Sequence, residues 1–296
     1  MENIDLHIHS SYSDDADYDV NHIMRMSNER HMSLISITDH NSAKSATEIL
    51  RMGGGKRPGF INGIEIDCCF NNHNFHVLGY GYTNTSDFDY IEDNFIELQK
   101  NATPLKIMKL KALGFHLNED ALYENAKGKI PQEEEMAELI LHDVRNSGNA
   151  LLLPYRDEGT RSDMPLVNFF WDFFTKGKPC FVDIHYPGLE EMVSVIKDNS
   201  GIPVIAHIGA NIKQEYTDVI IDMCRAGIMG VEVFSSYHSD ELQKQLFDFC
   251  RSQSLFMTCG SDFHGSNKPK ISIGSCTYNQ HELAHIRKFT DKVTIY

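Results

Sequence analysis

Nine ionisable side chains carry the chemistry open to this sequence: His7, His9, Asp14, His40, Glu65, His76, His207, Asp262 and His264. The densest stretch is Ile4-Asp5-Leu6-His7-Ile8-His9, followed by a loop rich in serine and aspartate. On a strand, Asp5, His7 and His9 share one face while Ile4, Leu6 and Ile8 take the other. Imidazoles two residues apart lie roughly 6.5–7 Å from each other at the backbone, so both can converge on one metal ion. The loop brings Asp14 or Asp15 to the end of the strand. One His-x-His in a chain with 15 histidines decides nothing; the other members of the set do. Each falls near the middle or end of a separate apolar run, where barrel enzymes gather their ligands. Six imidazoles and three carboxylates exceed the about four to six ligands of one ion. They suit two or three ions that share bridging carboxylates. Nitrogen and oxygen donors without thiolate favour Zn, Mn or Fe over Ca.

The elements that must hold these residues alternate. Strands are expected over 4–9, 34–38, 60–66 and 75–80, the second ending in Asp39-His40-Asn41 and the third in a carboxylate. Helices are expected over 20–30 and 42–51, with a glycine-rich loop over 53–59. After about residue 87 the strand signals fade. Residues 90–111 read as one long helix or two broken near Pro104. Residues 132–145 form a helix opened by Pro131 and an acidic first turn. Residues 164–174 form a helix packed by Phe169, Phe170, Phe173 and Phe174 and holding the only tryptophan, Trp171. A short return strand is expected over 184–186. Alternation then resumes, with helices over 189–199, 216–226 and 239–252 and strands over 203–207, 230–234 and 255–262. Strands separated by helices imply a mainly parallel α/β sheet, and about seven of them suit a seven-stranded (β/α)7 barrel. The expected barrel comprises residues 1–95 and 185–296. Residues 96–184 form an inserted, mostly helical subdomain that could cap the site.

A formal charge of −15 argues against long nucleic acid held by a broad basic face. It leaves room for a small anion held by local positive charge. Hydrophobic residues make up 41% of the chain, enough for a substantial core. The seven cysteines are odd in number and contain no Cys-x-x-Cys, which suits free thiols in a reducing cytoplasm. The start of the sequence has no signal-peptide pattern, and no apolar run approaches a membrane span.

The motifs His7-Ile8-His9, Ser13-Asp14, Thr38-Asp39-His40, Gly63-Ile64-Glu65, His76, His207 and Gly260-Ser261-Asp262-Phe263-His264-Gly265, in this order, resemble the PHP (polymerase and histidinol phosphatase) superfamily. They are most similar to its small phosphoesterases with a helical insertion. That resemblance implies a distorted seven-stranded barrel and a trinuclear metal site. It implies that His7 and His9 hold one ion with Glu65 and Asp262. Asp14, His40 and His264 would hold a second, and His76 and His207 a third with a bridging Glu65. Asp14 stands where some members use histidine. An Arg-x-His-Ile-Ala segment common in nucleotide-acting relatives is missing. The nearest material, Leu152 to Asp157, offers Arg156 as a phosphate-binding candidate. His238 resembles a substrate-side histidine of the family, with catalytic and substrate-binding roles, and Asp262 is the other catalytic candidate.

Three divalent ions against three carboxylates leave about +3, a charge that favours a compact anion such as a phosphate ester. The implied reaction is metal-dependent hydrolysis of a small phosphate ester by a metal-bridging hydroxide. The substrate could be a nucleotide or a short oligonucleotide end. Two other readings compete. A metal-dependent amidohydrolase would normally place a bridging lysine at a later strand end, where Glu65 stands instead. A non-catalytic PHP scaffold would not need a complete ligand set.

Overall fold

The computed structural model describes residues 2–52 and 58–296, so most of the expected 53–59 loop lies outside the described residues. The chain divides into two compact units. One comprises Met1–Glu92, Tyr186–Gly265 and Ile271–Tyr296; the other comprises Asp93–His185 and Ser266–Lys270.

In the first unit, β1 (Ile4–Ile8), β2 (Leu34–Ile37) and β3 (Gly59–Phe60) form a parallel sheet in that order. A second sheet has the order β4 (Gly63–Phe70), β5 (His73–Tyr80), β6 (Ile202–Ile205), β7 (Gly230–Ser235) and β8 (Phe256–Gly260). The Ile- and Val-rich strands β1, β2, β6 and β7 are buried along their whole length, as strands covered on both faces must be. Helices Val20–Glu29, Lys44–Arg51, Leu189–Asp198, Tyr216–Arg225, Asp240–Gln253 and Gln280–Thr290 belong to this unit. Several begin where the sequence supplies a cap. Asp19 accepts from the His22 N–H at 2.7 Å, and Asn279 accepts from the His281 and Glu282 N–H groups.

The described residues thus form eight strands in two sheets, neither of them closed, and not the seven-stranded barrel expected. Two local causes are visible. The expected strand over 60–66 divides between the sheets at Ile61-Asn62, and Asn62 uses its side-chain amide on the Tyr82 carbonyl at 3.1 Å. Asn71 and Asn72 then take φ of 49° and 60°, the left-handed pair that a two-residue hairpin needs. β4 and β5 are therefore antiparallel, β5 is antiparallel to β6 as well, and within this second sheet only β6, β7 and β8 run parallel. Isolated parallel bridges join Ile8 to Phe263 and His40 to Glu65, each at or beside a residue of the predicted ligand set.

The second unit is helical. Helix Asp89–Ala112 begins in the last residues of the first unit and runs unbroken through Pro104. The carbonyl that Pro104 leaves unpaired is that of Lys100, an exposed residue that water can serve. Glu119–Asn125, Glu133–His142 and Pro165–Phe173 follow. Their core gathers Leu110, Phe115, Leu122, Met136, Ile140 and Phe169, with Phe169 and Phe173 stacked at 4.2 Å between ring centres. Phe170 packs at the edge of this core, and Trp171 is 37% exposed. Residues 184–186 take no regular structure, contrary to the expected return strand. No helix among the described residues is long and apolar enough to cross a membrane.

Candidate metal centre

Glu65 sits at the middle of the site. The 65th residue follows the division of the 60–66 run, and a main-chain bridge pairs it with His40 just beyond the end of β2. Fully buried, it meets five imidazoles. Oε2 lies 3.0 Å from His7 Nε2, 3.1 Å from His9 Nε2 and 3.4 Å from His40 Nδ1. Oε1 lies 2.9 Å from both His76 Nδ1 and His207 Nε2. Burial would raise this carboxyl, but the charges of His7, His40 and His76 outweigh it and hold Glu65 well below the usual carboxylate range.

The alternation of β1 delivers His7 and His9 together. Their Nε2 atoms are 3.1 Å apart, and Asp262 Oδ1 lies 3.3 Å from one and 3.1 Å from the other. Asp262 reaches this place with a left-handed φ of 58°, its N–H donating to the His7 carbonyl at 2.8 Å. Five contacts among these four donor atoms therefore fall between 3.0 and 3.3 Å. A tetrahedron with bonds of about 2.0–2.1 Å has edges of about 3.3–3.4 Å. These five edges are close to those around one tetrahedrally coordinated ion. His207 Nδ1 is a buried atom with no hydrogen-bond partner among the described residues.

His7, Glu65, His207 and Asp262 also offer donor atoms within 4.8 Å of one another, and two further groups do the same. His9, Asp15, His40 and His264 offer donor atoms within 4.8 Å of one another, as do His40, Asp67 and His76. In the first group the carboxylate is Asp15, whose Oδ2 lies 3.1 Å from His264 Nε2 and 3.8 Å from His40 Nε2. The neighbouring Asp14, expected as the ligand, is half-buried and outside the group. The turn after Ser13 decides between two adjacent aspartates, and the sequence carries no signal for that choice. In the second group Asp67 Oδ1 lies 3.2 Å from His76 Nε2, and the amide of Asn41 donates to Asp67 Oδ2. Asp67 follows Glu65 by two residues on β4, so strand period alone would have placed both on one face.

Behind the ligands stand carboxylates absent from the expected set. Glu232 is fully buried in β7, flanked by Val231 and Val233; an acid inside such a run is a signal that a partner waits for it. Its Oε1 lies 2.9 Å from His7 Nδ1, and its Oε2 accepts the main-chain N–H of His207 at 2.9 Å. His9 Nδ1 lies 2.9 Å from Ser13 Oγ, which donates to Asp39 Oδ1 at 3.1 Å. Burial, then the nearby His264 and His40, push His9 down to about 4, leaving it a neutral donor. For His7, burial is outweighed by Glu65, Glu232 and Asp262, which raise it well above the usual imidazole range.

The two substrate-side candidates are placed otherwise. His238 is buried. Its Nδ1 donates to the Val233 carbonyl at 2.9 Å, and its Nε2 accepts the Gly209 N–H at 3.0 Å. Both ring nitrogens are thus used by the main chain, and a catalytic role would require one to be released. Arg156 belongs to the second unit, where its guanidinium donates to the carbonyls of Ser147 at 2.7 Å and Asn146 at 2.9 Å.

An α/β unit that brings a buried His/Asp/Glu constellation to strand ends defines a metal-centre protein. Residues 5–151 match the model of the PHP domain, and the chain is a PHP-family protein. His207, Asp262 and His264 lie beyond that match; the fold brings them to the residues within it. The chain is 27% identical to the 3′,5′-nucleoside bisphosphate phosphatase of Chromobacterium violaceum, over 93% of this chain and 91% of the relative. It is 21% identical to the phosphoribosyl 1,2-cyclic phosphate 1,2-diphosphodiesterase of Eggerthella lenta, over 88% and 94%. A solved structure of an amidohydrolase from Chromobacterium violaceum, with bound sulfate and no metal, superposes with a TM-score of 0.76 at 22% identity. It covers 99% of this chain and 97% of its own, and the likeness is one of fold.

Proposed function

We propose that this protein is a metal-dependent phosphoesterase that hydrolyses a small phosphate ester, with a nucleotide first among the candidates. One observation carries the reading: a single buried carboxylate, Glu65, lies between 2.9 and 3.4 Å from five imidazoles. No hydrogen-bonding need of one carboxylate explains five such partners; ions sharing a bridging ligand do. Two or three divalent ions bound here would supply Lewis-acid charge to phosphate oxygens and acidify the attacking water. The chain's own part is to fix the spacing through Glu65 and to keep the imidazoles aimed. Both named sequence relatives act on phosphate esters of nucleosides or ribose, which supports the same class here.

The test is a phosphate-release screen over nucleoside monophosphates, nucleoside bisphosphates, cyclic phosphates and sugar phosphates. Release that stops on chelation and returns with added Mn is the expected result. No release from any of them by protein shown to hold metal would overturn the reading.

A further inference from the structure

We propose that Glu232 is a positioning residue that sets His7 and His207 as metal ligands at once. Two independent features of the fold point to it. The first is the double contact: Oε1 faces the His7 ring at Nδ1, and Oε2 accepts the main-chain N–H of His207, holding the backbone that carries that imidazole. His7 sits on β1 and His207 follows β6, so one side chain on β7 ties ligands from two strands. The second is the space left for that contact. β7 and β8 shift register between Glu232 and Phe234, and β8 ends in Gly260. A Cβ on Gly260 would stand 2.1 Å from His7 Cβ and 2.5 Å from Glu232 Oε1. The glycine is the gap through which Glu232 meets His7.

The chemistry follows from counting donors. A carboxylate only accepts, so the Glu232 contact keeps the proton of a neutral His7 on Nδ1. Nε2 is then free to bind, and it is Nε2 that faces His9, Glu65 and Asp262. Glutamine in the same place has one acceptor and one donor group. If its NH2 faced His7, the proton would move to Nε2 and block the ligand atom. If its NH2 faced the His207 N–H, two donors would oppose each other. Size is conserved and neither orientation works.

This inference rests on the metal reading of the site, and the experiment separates the two. Zinc is titrated into metal-free wild type and Glu232→Gln. Circular dichroism and thermal melting of both metal-free proteins check the fold. The variant is expected to keep its fold and lose about 10–100-fold in zinc affinity, the scale for removing a partner of a ligating histidine. Zinc affinity equal to wild type in Glu232→Gln would overturn the proposal. Zinc failing to bind wild type at all would overturn the metal reading, and this proposal with it. A second measurement needs no variant. In zinc-loaded wild type labelled with 15N-histidine, His7 should carry a proton on Nδ1 and none on Nε2. A proton on Nε2 would contradict the proposal even if Glu232→Gln cannot be made to fold.

Discussion

At the scale of the residue, most of the side chains that cluster were legible because they came as motifs. His7-Ile8-His9, Asp39-His40 and Ser261-Asp262-Phe263-His264 each put a donor at the end of an apolar run. Adjacent choices were not legible. Asp14 and Asp15 have the same chemistry, and only the turn shows that Asp15 faces His264. An acid inside the apolar run of Glu232 signals that it has a partner but not which one, because its partners lie 225 and 25 residues away. The distinction between the two aspartates can be measured. Asp15→Asn should lower metal bound at the group formed with His9, His40 and His264 by at least about tenfold in affinity. Asp14→Asn should stay within a few-fold of wild type. Elemental analysis after equilibration at several metal concentrations reads both, and the reverse order would return Asp14 to the site.

At the scale of the element, most helices and strands fell where periodicity put them, because Ile- and Val-rich runs and capped helix starts are local signals. Sheet order is not local. The pair Asn71-Asn72 reverses the chain and makes β4 and β5 antiparallel, which the expectation of a mainly parallel barrel passed over. That turn holds Asp67 opposite His76 across the hairpin, with Glu65 two residues along from Asp67, so it matters to the site as well as to the fold. Asn71→Val places a β-branched residue at a φ of 49° and should destabilise the protein by about 1–2 kcal/mol. Asn72→Gly should be neutral or slightly stabilising at its φ of 60°. Urea midpoints distinguish them; equal losses in both would mean that backbone conformation at the turn does not set the pairing.

At the scale of the whole molecule, a formal charge of −15 is offset at one point by a cluster of imidazoles. Within that cluster the signs run in a definite direction. His7 and His76 are each disfavoured as cations by burial, but the Glu65 carboxylate and its neighbours raise both well above the ordinary imidazole value. A raised folded-state pKa adds stability that is fully present below the unfolded value and is lost as pH rises through the folded one. Metal-free protein should therefore lose stability from near-neutral pH upward. Metal binding must displace those same protons, so its affinity should rise over the same range. The gain in melting temperature on adding Mn is expected to be larger at about pH 9 than at about pH 6. Scanning fluorimetry with and without Mn decides it; a gain that shrinks with rising pH would go against this reading of the cluster.

The central claim is that clustered ions held through Glu65 carry out phosphate-ester hydrolysis. Glu65→Gln tests it most directly, because the side chain keeps its size and loses the charge that the five imidazoles surround. Phosphate release by wild type and Glu65→Gln is measured on the same substrate while Mn is added back to metal-free protein. Wild-type release should climb with Mn to a plateau, with Glu65→Gln at least about 100-fold lower there, the scale of losing one preorganised electrostatic element. Glu65→Gln matching wild type at the plateau, or release indifferent to Mn, would contradict it.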